Sequence, residues 1–214
     1  MNKNNIFKVF DSKYKVDHLF FNKIDTEEKA YWLGFLYADG CVQTNSNTIS
    51  LKLAAKDIEH LKKFQVALQS THPIKTMMTK YNNKLYPANR INIVSKQLKK
   101  DLIQAGCTCT KSLTLTFPSE NIIPKHLQHH FIRGYFDGDG SVFISNEKHW
   151  RNGTITKVIH YRFLGTLDMM ENIHKCIGLQ QKCLVKVFII EGYNSKFFLN
   201  TLKRGDGSWG NNIL

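Results

Sequence analysis

Asp39 and Asp139 are the residues of this chain best placed by type and spacing to do chemistry. Each precedes the final glycine of a nine-residue stretch that occurs twice, Trp32-Leu-Gly-Phe-Leu-Tyr-Ala-Asp-Gly40 and Ile132-Arg-Gly-Tyr-Phe-Asp-Gly-Asp-Gly140. The identities are Gly34/Gly134, Asp39/Asp139 and Gly40/Gly140, at an offset of 139 − 39 = 100 residues. Two carboxylates brought together repel, and the negative ends of two helix dipoles add to the conflict. A divalent cation removes it. Hard oxygen ligands suit Mg²⁺, which keeps several waters and binds phosphate. Metals beside a phosphodiester can activate water and stabilise the leaving oxygen.

The elements around the two aspartates must hold them. Each stretch predicts the end of a helix. Asp25 and Glu28 have capping-box spacing at the first helix start, with Thr26 as the other candidate cap. Pro124 suits the first turn of the second helix. Gly40 and Gly140 are expected to release the chain into strands at positive φ. Gly34 and Ala38 are four apart, as are Gly134 and Gly138, so each helix carries a small-residue stripe. Packing stripe on stripe lets the backbones approach closely and sets Asp39 beside Asp139.

A calcium loop is the competing reading of Asp137–Ser141, Asp-Gly-Asp-Gly-Ser. It fails on Lys148, which stands where an EF-hand places its bidentate glutamate. The five cysteines, Cys41, Cys107, Cys109, Cys176 and Cys183, include no CxxC pair, which argues against a disulfide framework and a structural zinc site. The Cys107/Cys109 pair reads as small packing residues, and His129 and His130 lack any ligand spacing.

Behind the first stretch, Ile49, Leu51 and Leu53 alternate with Ser50 and Lys52, predicting a strand over Thr48–Leu53. Asp57–Gln69 predicts a helix with Ile58, Leu61, Phe64 and Leu68 on one stripe. Ile74–Tyr81 and Ala88–Val94 predict a hairpin. A last helix is capped by Ser95, buries Leu98, Leu102 and Ile103, and stops at Gly106. The first half is α-β-β-α-β-β-α. The second half begins alike: strands at Ser141–Ser145 and Val158–Phe163, a helix at Leu167–Cys176 and a strand at Lys182–Ile190. Asn194–Lys203 then leaves room for one short strand or helix, and the Gly/Asn-rich end does not predict a packed helix. The second half is expected to be incomplete.

These stretches resemble the LAGLIDADG signature of homing endonucleases position for position, in its two-motif, monomeric form. The resemblance implies an α+β fold of two pseudo-symmetric αββαββα halves, here 1–120 and 121–214, packed through their motif helices. It implies antiparallel sheets forming a saddle on double-stranded DNA, and a staggered Mg²⁺-dependent double-strand cut. The expected metal set is Asp39 and Asp139 with Ala38 and Gly138. Lys56 and Lys111 are similar to the family's basic residues that poise water, with Thr166 near the Lys56 position in half two.

Polar positions on alternating strands are the candidates to face DNA: Gln43, Ser50, Lys52, Arg90 and Asn92 in half one, Ser145, Lys157 and Arg162 in half two. Arginine suits guanine, and asparagine or glutamine suits adenine. Thirty Lys and Arg against seventeen Asp and Glu, a net charge of +13, match a polyanionic partner. A polar N-terminus without an apolar core points to an intracellular protein, and no apolar run near the first stretch approaches a membrane span. The end, Asn-Asn-Ile-Leu, lacks a splice-junction pattern, so a free-standing enzyme of intron homing is expected rather than an intein. The alternative is a maturase bound to its intron RNA, or a degenerate relative that holds DNA without cutting.

Overall fold

Thr26 has extended backbone, and its hydroxyl accepts a hydrogen bond from Lys29 N at 3.3 Å. It therefore caps α1, Glu27–Asp39, with Glu27 and Glu28 in the first turn where the helix dipole favours acids. Asp25 is left to bind Lys29 Nζ at 2.8 Å. The computed structural model describes residues 13–108, 114–148 and 153–177, and the backbone of 184–190 and 193–204. Helix α1 is apolar almost all round, and Ala30, Trp32, Leu33, Gly34, Phe35, Leu36 and Tyr37 are all buried in it. A helix of that kind belongs at the centre of a molecule.

The first half continues with β1 (Gly40–Val42), β2 (Thr48–Ala54), α2 (Ile58–Ala67), β3 (Ile74–Tyr81), β4 (Lys84–Val94) and α3 (Lys96–Gln104). Its strands form an antiparallel sheet in the order β1-β2-β4-β3. Asn82 and Asn83 turn the β3–β4 hairpin at φ 47° and 60°, the conformation a two-residue hairpin loop demands. One sheet face carries Ile49, Leu51, Ile91 and Ile93, which pack with Leu61, Phe64, Leu98 and Leu102 from the helices. Ser95 caps α3 by accepting from Leu98 N at 3.2 Å, and Gly106 ends that turn at φ 92°. Ile103 was expected in the core but is 42% exposed, because α3 lies on the sheet through Leu98 and Leu102.

The second half has α4 (Gln128–Asp139), β5 (Ser141–Lys148), β6 (Ile155–Gly165), α5 (Leu167–Ile177), β7 (Leu184–Ile190) and β8 (Tyr193–Arg204). Pro124 does not sit in the first turn of α4; it precedes a 3-10 turn, Lys125–Leu127, that leads into the helix. The sheet order is β5-β6-β8-β7, the same as in the first half. The expectation of an incomplete second sheet is thereby corrected. Tyr193–Arg204 is a full strand that pairs with both β6 and β7. Its polar and apolar residues do not alternate cleanly, which hid it. The segment that would hold a counterpart of α3, 205–214, lies outside the described residues.

Candidate active site

The two motif helices cross at their glycines. A Cβ built on Gly34 would lie 2.0 Å from Phe131 O, and one on Gly134 would lie 1.9 Å from Tyr31 O. The contacts are reciprocal at the 100-residue offset, which is the mark of a pseudo-two-fold axis. Further along, a Cβ on Gly138 would lie 2.3 Å from the Ala38 Cβ and 3.4 Å from Asp39 Oδ2. Gly34, Ala38, Gly134 and Gly138 therefore form the helix interface, and both C-termini emerge at the same end.

Asp39 and Asp139 are the last residues of α1 and α4, both exposed. The following glycines do not release the chain as expected. Gly40 has φ −70° and Gly140 φ −83°, both extended and open to any residue. What they need is space: a Cβ on Gly40 would meet Leu36 O at 2.6 Å, and one on Gly140 would meet Phe136 O at 2.4 Å. The chain doubles from helix to strand so tightly that no side chain fits. Asp137 and Asp139 thus end a helix, and Ser141 starts a strand, so no calcium loop forms here.

Beside Asp39 opens a cleft of 470 Å³ lined by Phe35, Lys52, Leu53, Ala54, Asp57, His60, Asp137 and Gly138. Asp137 is tied across the interface: Tyr31 Oη donates to its Oδ2 at 2.8 Å. His60 Nε2 lies 3.1 Å from the same hydroxyl. Burial lowers the His60 pKa, and burial together with the Asp137 hydrogen bond raises that of Tyr31. On the other side, Tyr135 donates to Leu164 O at 2.7 Å, and its pKa is raised by burial and by the charge of Asp139.

Residues 26–104 match the family model described as LAGLIDADG-like domain. Over that stretch, from α1 to α3, the chain is similar to such a domain. The chain as a whole has the LAGLIDADG fold, for it superposes on the homing endonuclease I-WcaI, solved bound to its DNA recognition sequence. That match has a TM-score of 0.51 at 10% identity, covering 83% of this chain and 76% of that one. The meganuclease I-SmaMI, solved bound to uncleaveable DNA, aligns at TM-score 0.47 and 12% identity over 79% and 78% of the two chains. The N-terminal LAGLIDADG domain of DUF199/WhiA aligns at 0.42 and 15% over 86% and 80%. No curated protein sequence matches the chain.

The LAGLIDADG sheets place the remaining candidates. Gln43, Ser50, Lys52, Arg90 and Asn92 share the face opposite Ile49, Leu51, Ile91 and Ile93, with Ser50 paired to Asn92 and Lys52 to Arg90. Ser50 itself is 6% exposed. It donates to Asn92 Oδ1 at 2.9 Å and accepts from Gln43 Nε2 at 3.5 Å. Its role on this face is to orient its two amide neighbours. Lys75, opposite Arg90 in the register, joins this face and was missed because Ile74–Tyr81 lacks clear alternation. In the second sheet Ser145 and Arg162 share a face with Phe143 and His160. His160 stacks on Phe143 at 4.5 Å and Arg162 lies 4.8 Å from the Phe143 ring centre. Lys157 corrects the expectation. It pairs with Asn146 and lies on the opposite face, with Ile159 and Phe163, because Ser145 faces Val158 rather than Lys157.

Lys52 lines the cleft beside Asp39, whereas Lys56 is exposed on the 3-10 turn Ala55–Asp57 and does not line it. Thr166 accepts from Met169 N at 3.3 Å and donates to Leu115 O at 2.6 Å, so it caps α5. Lys111, Cys109 and Cys183 lie outside the described residues. Cys107 is buried and Cys176 exposed. Among the described residues no three His, Cys, Asp or Glu side chains converge as a metal cage, and no helix is long and apolar enough to cross a membrane.

Proposed function

We propose that this protein is a site-specific double-strand DNA endonuclease of the homing type, acting as a monomer whose halves, 1–120 and 121–214, each face one half-site. The observation that carries the reading is the bare backbone at Gly138. It lets Asp39 Oδ2 reach α4 one residue before Asp139, at the negative ends of both helices. Carboxylates with the neighbouring backbone at Ala38 and Gly138 form a hard-oxygen donor set, open to water, which fits Mg²⁺. When bound, Mg²⁺ supplies charge neutralisation at the phosphodiester and a more acidic water. Asp39 and Asp139 would hold it. Lys52 places an ammonium in the cleft, where it pairs with a phosphate oxygen and opposes charge that develops there. The polar face of each sheet meets the grooves, and the net charge of +13 supports sequence-independent phosphate contacts.

The test begins with selection of bound sequences from a randomised duplex library in Ca²⁺. The selected duplex is then incubated in Mg²⁺. Cleavage of both strands by the native protein, lost in Asp39→Asn and in Asp139→Asn while gel retardation persists, is the expected result. Undiminished cutting by both variants overturns the ligand assignment. Salt-sensitive binding without any cutting by the native protein favours the maturase or non-cleaving reading.

A further inference from the structure

The two halves are alike in fold but not in chemistry. Tyr31 Oη carries one proton and gives it to Asp137 Oδ2, so the hydrogen in the 3.1 Å contact with His60 must come from Nε2. The chain of donors therefore runs one way, from His60 on α2 through Tyr31 on α1 to Asp137 on α4. Arg133 lies over the Tyr31 ring, 5.0 Å from its centre, at cation–π distance. Asp137 is held at the wall of the cleft that contains Asp39.

The pseudo-two-fold axis carries each member of this chain onto an apolar or sealed partner. Tyr31 corresponds to Phe131 at the 100-residue offset, and Phe131 is fully buried. Counting from the helix caps Asp57 and Thr166, His60 corresponds to Met169, also fully buried. Asp137 corresponds to Tyr37, which is buried, packs its ring on Phe131 at 5.0 Å and spends its hydroxyl on Ala105 O. In the sheets, Ser50 pairs with Cys41 and Arg162 with Ser141, so two residues on Lys52 corresponds to Leu164. The relay residues and Lys52 on the Asp39 side thus have apolar or sealed residues at the corresponding positions of the second half.

Resting on the endonuclease reading, we propose that His60, Tyr31 and Asp137 form a positioning relay that serves only the Asp39 half-site. Asp137 orients water for one DNA strand, and that strand is cut first. The second strand is cut more slowly, through a nicked intermediate.

The experiment uses the full chain and the selected duplex labelled separately on each strand. The native protein should cut one strand at least several-fold faster than the other. Tyr31→Phe, Asp137→Asn and the double variant Tyr31→Phe/His60→Met, which copies the other half, should slow the faster strand about tenfold. They should leave the slower strand, the melting temperature and Ca²⁺-dependent retardation near native. His60→Gln, which can still donate, should keep most of the bias. Nitrogen NMR of histidine-labelled protein gives a readout independent of cutting: His60 should be the Nε2–H tautomer. Equal strand rates in the native protein overturn the proposal, as does equal slowing of both strands in the variants or an Nδ1–H tautomer at His60. Absence of cutting on either strand by the native protein instead overturns the endonuclease reading.

Discussion

Replacing Gly34 by alanine sets a methyl group against the backbone of the opposite motif helix. The new Cβ would lie 2.0 Å from Phe131 O and 2.9 Å from Tyr135 N, against an ordinary contact of 3.4 Å or more. Both obstacles are backbone, so no rotamer relieves them, and the helices must separate by more than an ångström at their crossing. Overpacking of this severity costs about 3 kcal/mol. Alanine recovers about 1 kcal/mol through its better helix propensity. The net loss is about 2 kcal/mol, which for a chain of this size lowers the melting temperature by about 4–8 °C. Gly134→Ala should cost as much, since its Cβ meets Tyr31 O at 1.9 Å. One separation relieves both clashes, so the double variant should cost clearly less than the sum of the two. Thermal unfolding followed by circular dichroism measures all three, with Val66→Ala, at a 75% exposed position, as the neutral control. A Gly34→Ala protein as stable as the native one, or additive losses in the double variant, would refute the close crossing.

The remaining predictions concern caps, lysines and pH. Ser95→Ala removes the α3 cap and the partner of His18 Nδ1, 2.8 Å away, and should cost about 1 kcal/mol in denaturant unfolding. Lys52→Ala should reduce the cleavage rate at saturating DNA far more than Lys56→Ala, because Lys52 alone of the two lines the Asp39 cleft; equal effects in a single-turnover assay would contradict that placement. His72 is held below its ordinary pKa of 6.5, first by burial, and its Nε2 accepts from Val94 N at 3.3 Å. A depressed folded-state pKa means that the unfolded chain takes up the proton first. Stability is therefore full above 6.5 and declines as pH falls below it. His72→Gln should flatten that decline in melting temperature measured between neutral and mildly acidic buffers.

The repeat, the small-residue stripes and the terminal aspartates were legible in the sequence, because helix packing at close range admits few residue types and leaves them at fixed spacing. The first sheet was legible for the same kind of reason: Ile49, Leu51, Ile91 and Ile93 alternate with polar residues along strands that bury one face. Strand β8 was not, since its pairing to β6 and β7 is a long-range backbone matter. Lys157 was placed on the wrong face because which residue stands opposite Ser145 depends on register, and register is settled by the neighbouring strand. Gly40 and Gly140 were correctly singled out but for the wrong reason. Their backbone angles are ordinary, and only the return of the chain against Leu36 and Phe136 excludes a side chain.

What the sequence determined by itself is a doubled helix motif ending in two carboxylates, since spacing along one helix is a local property. What only the tertiary structure decided is that the two copies sit in unlike surroundings. Tyr31 is 106 residues from Asp137 and 29 from His60, and the contacts among them exist only because α1, α2 and α4 meet at one point. A symmetric motif thus yields an asymmetric site, because the residues that differ between the halves lie on the faces that packing brings together.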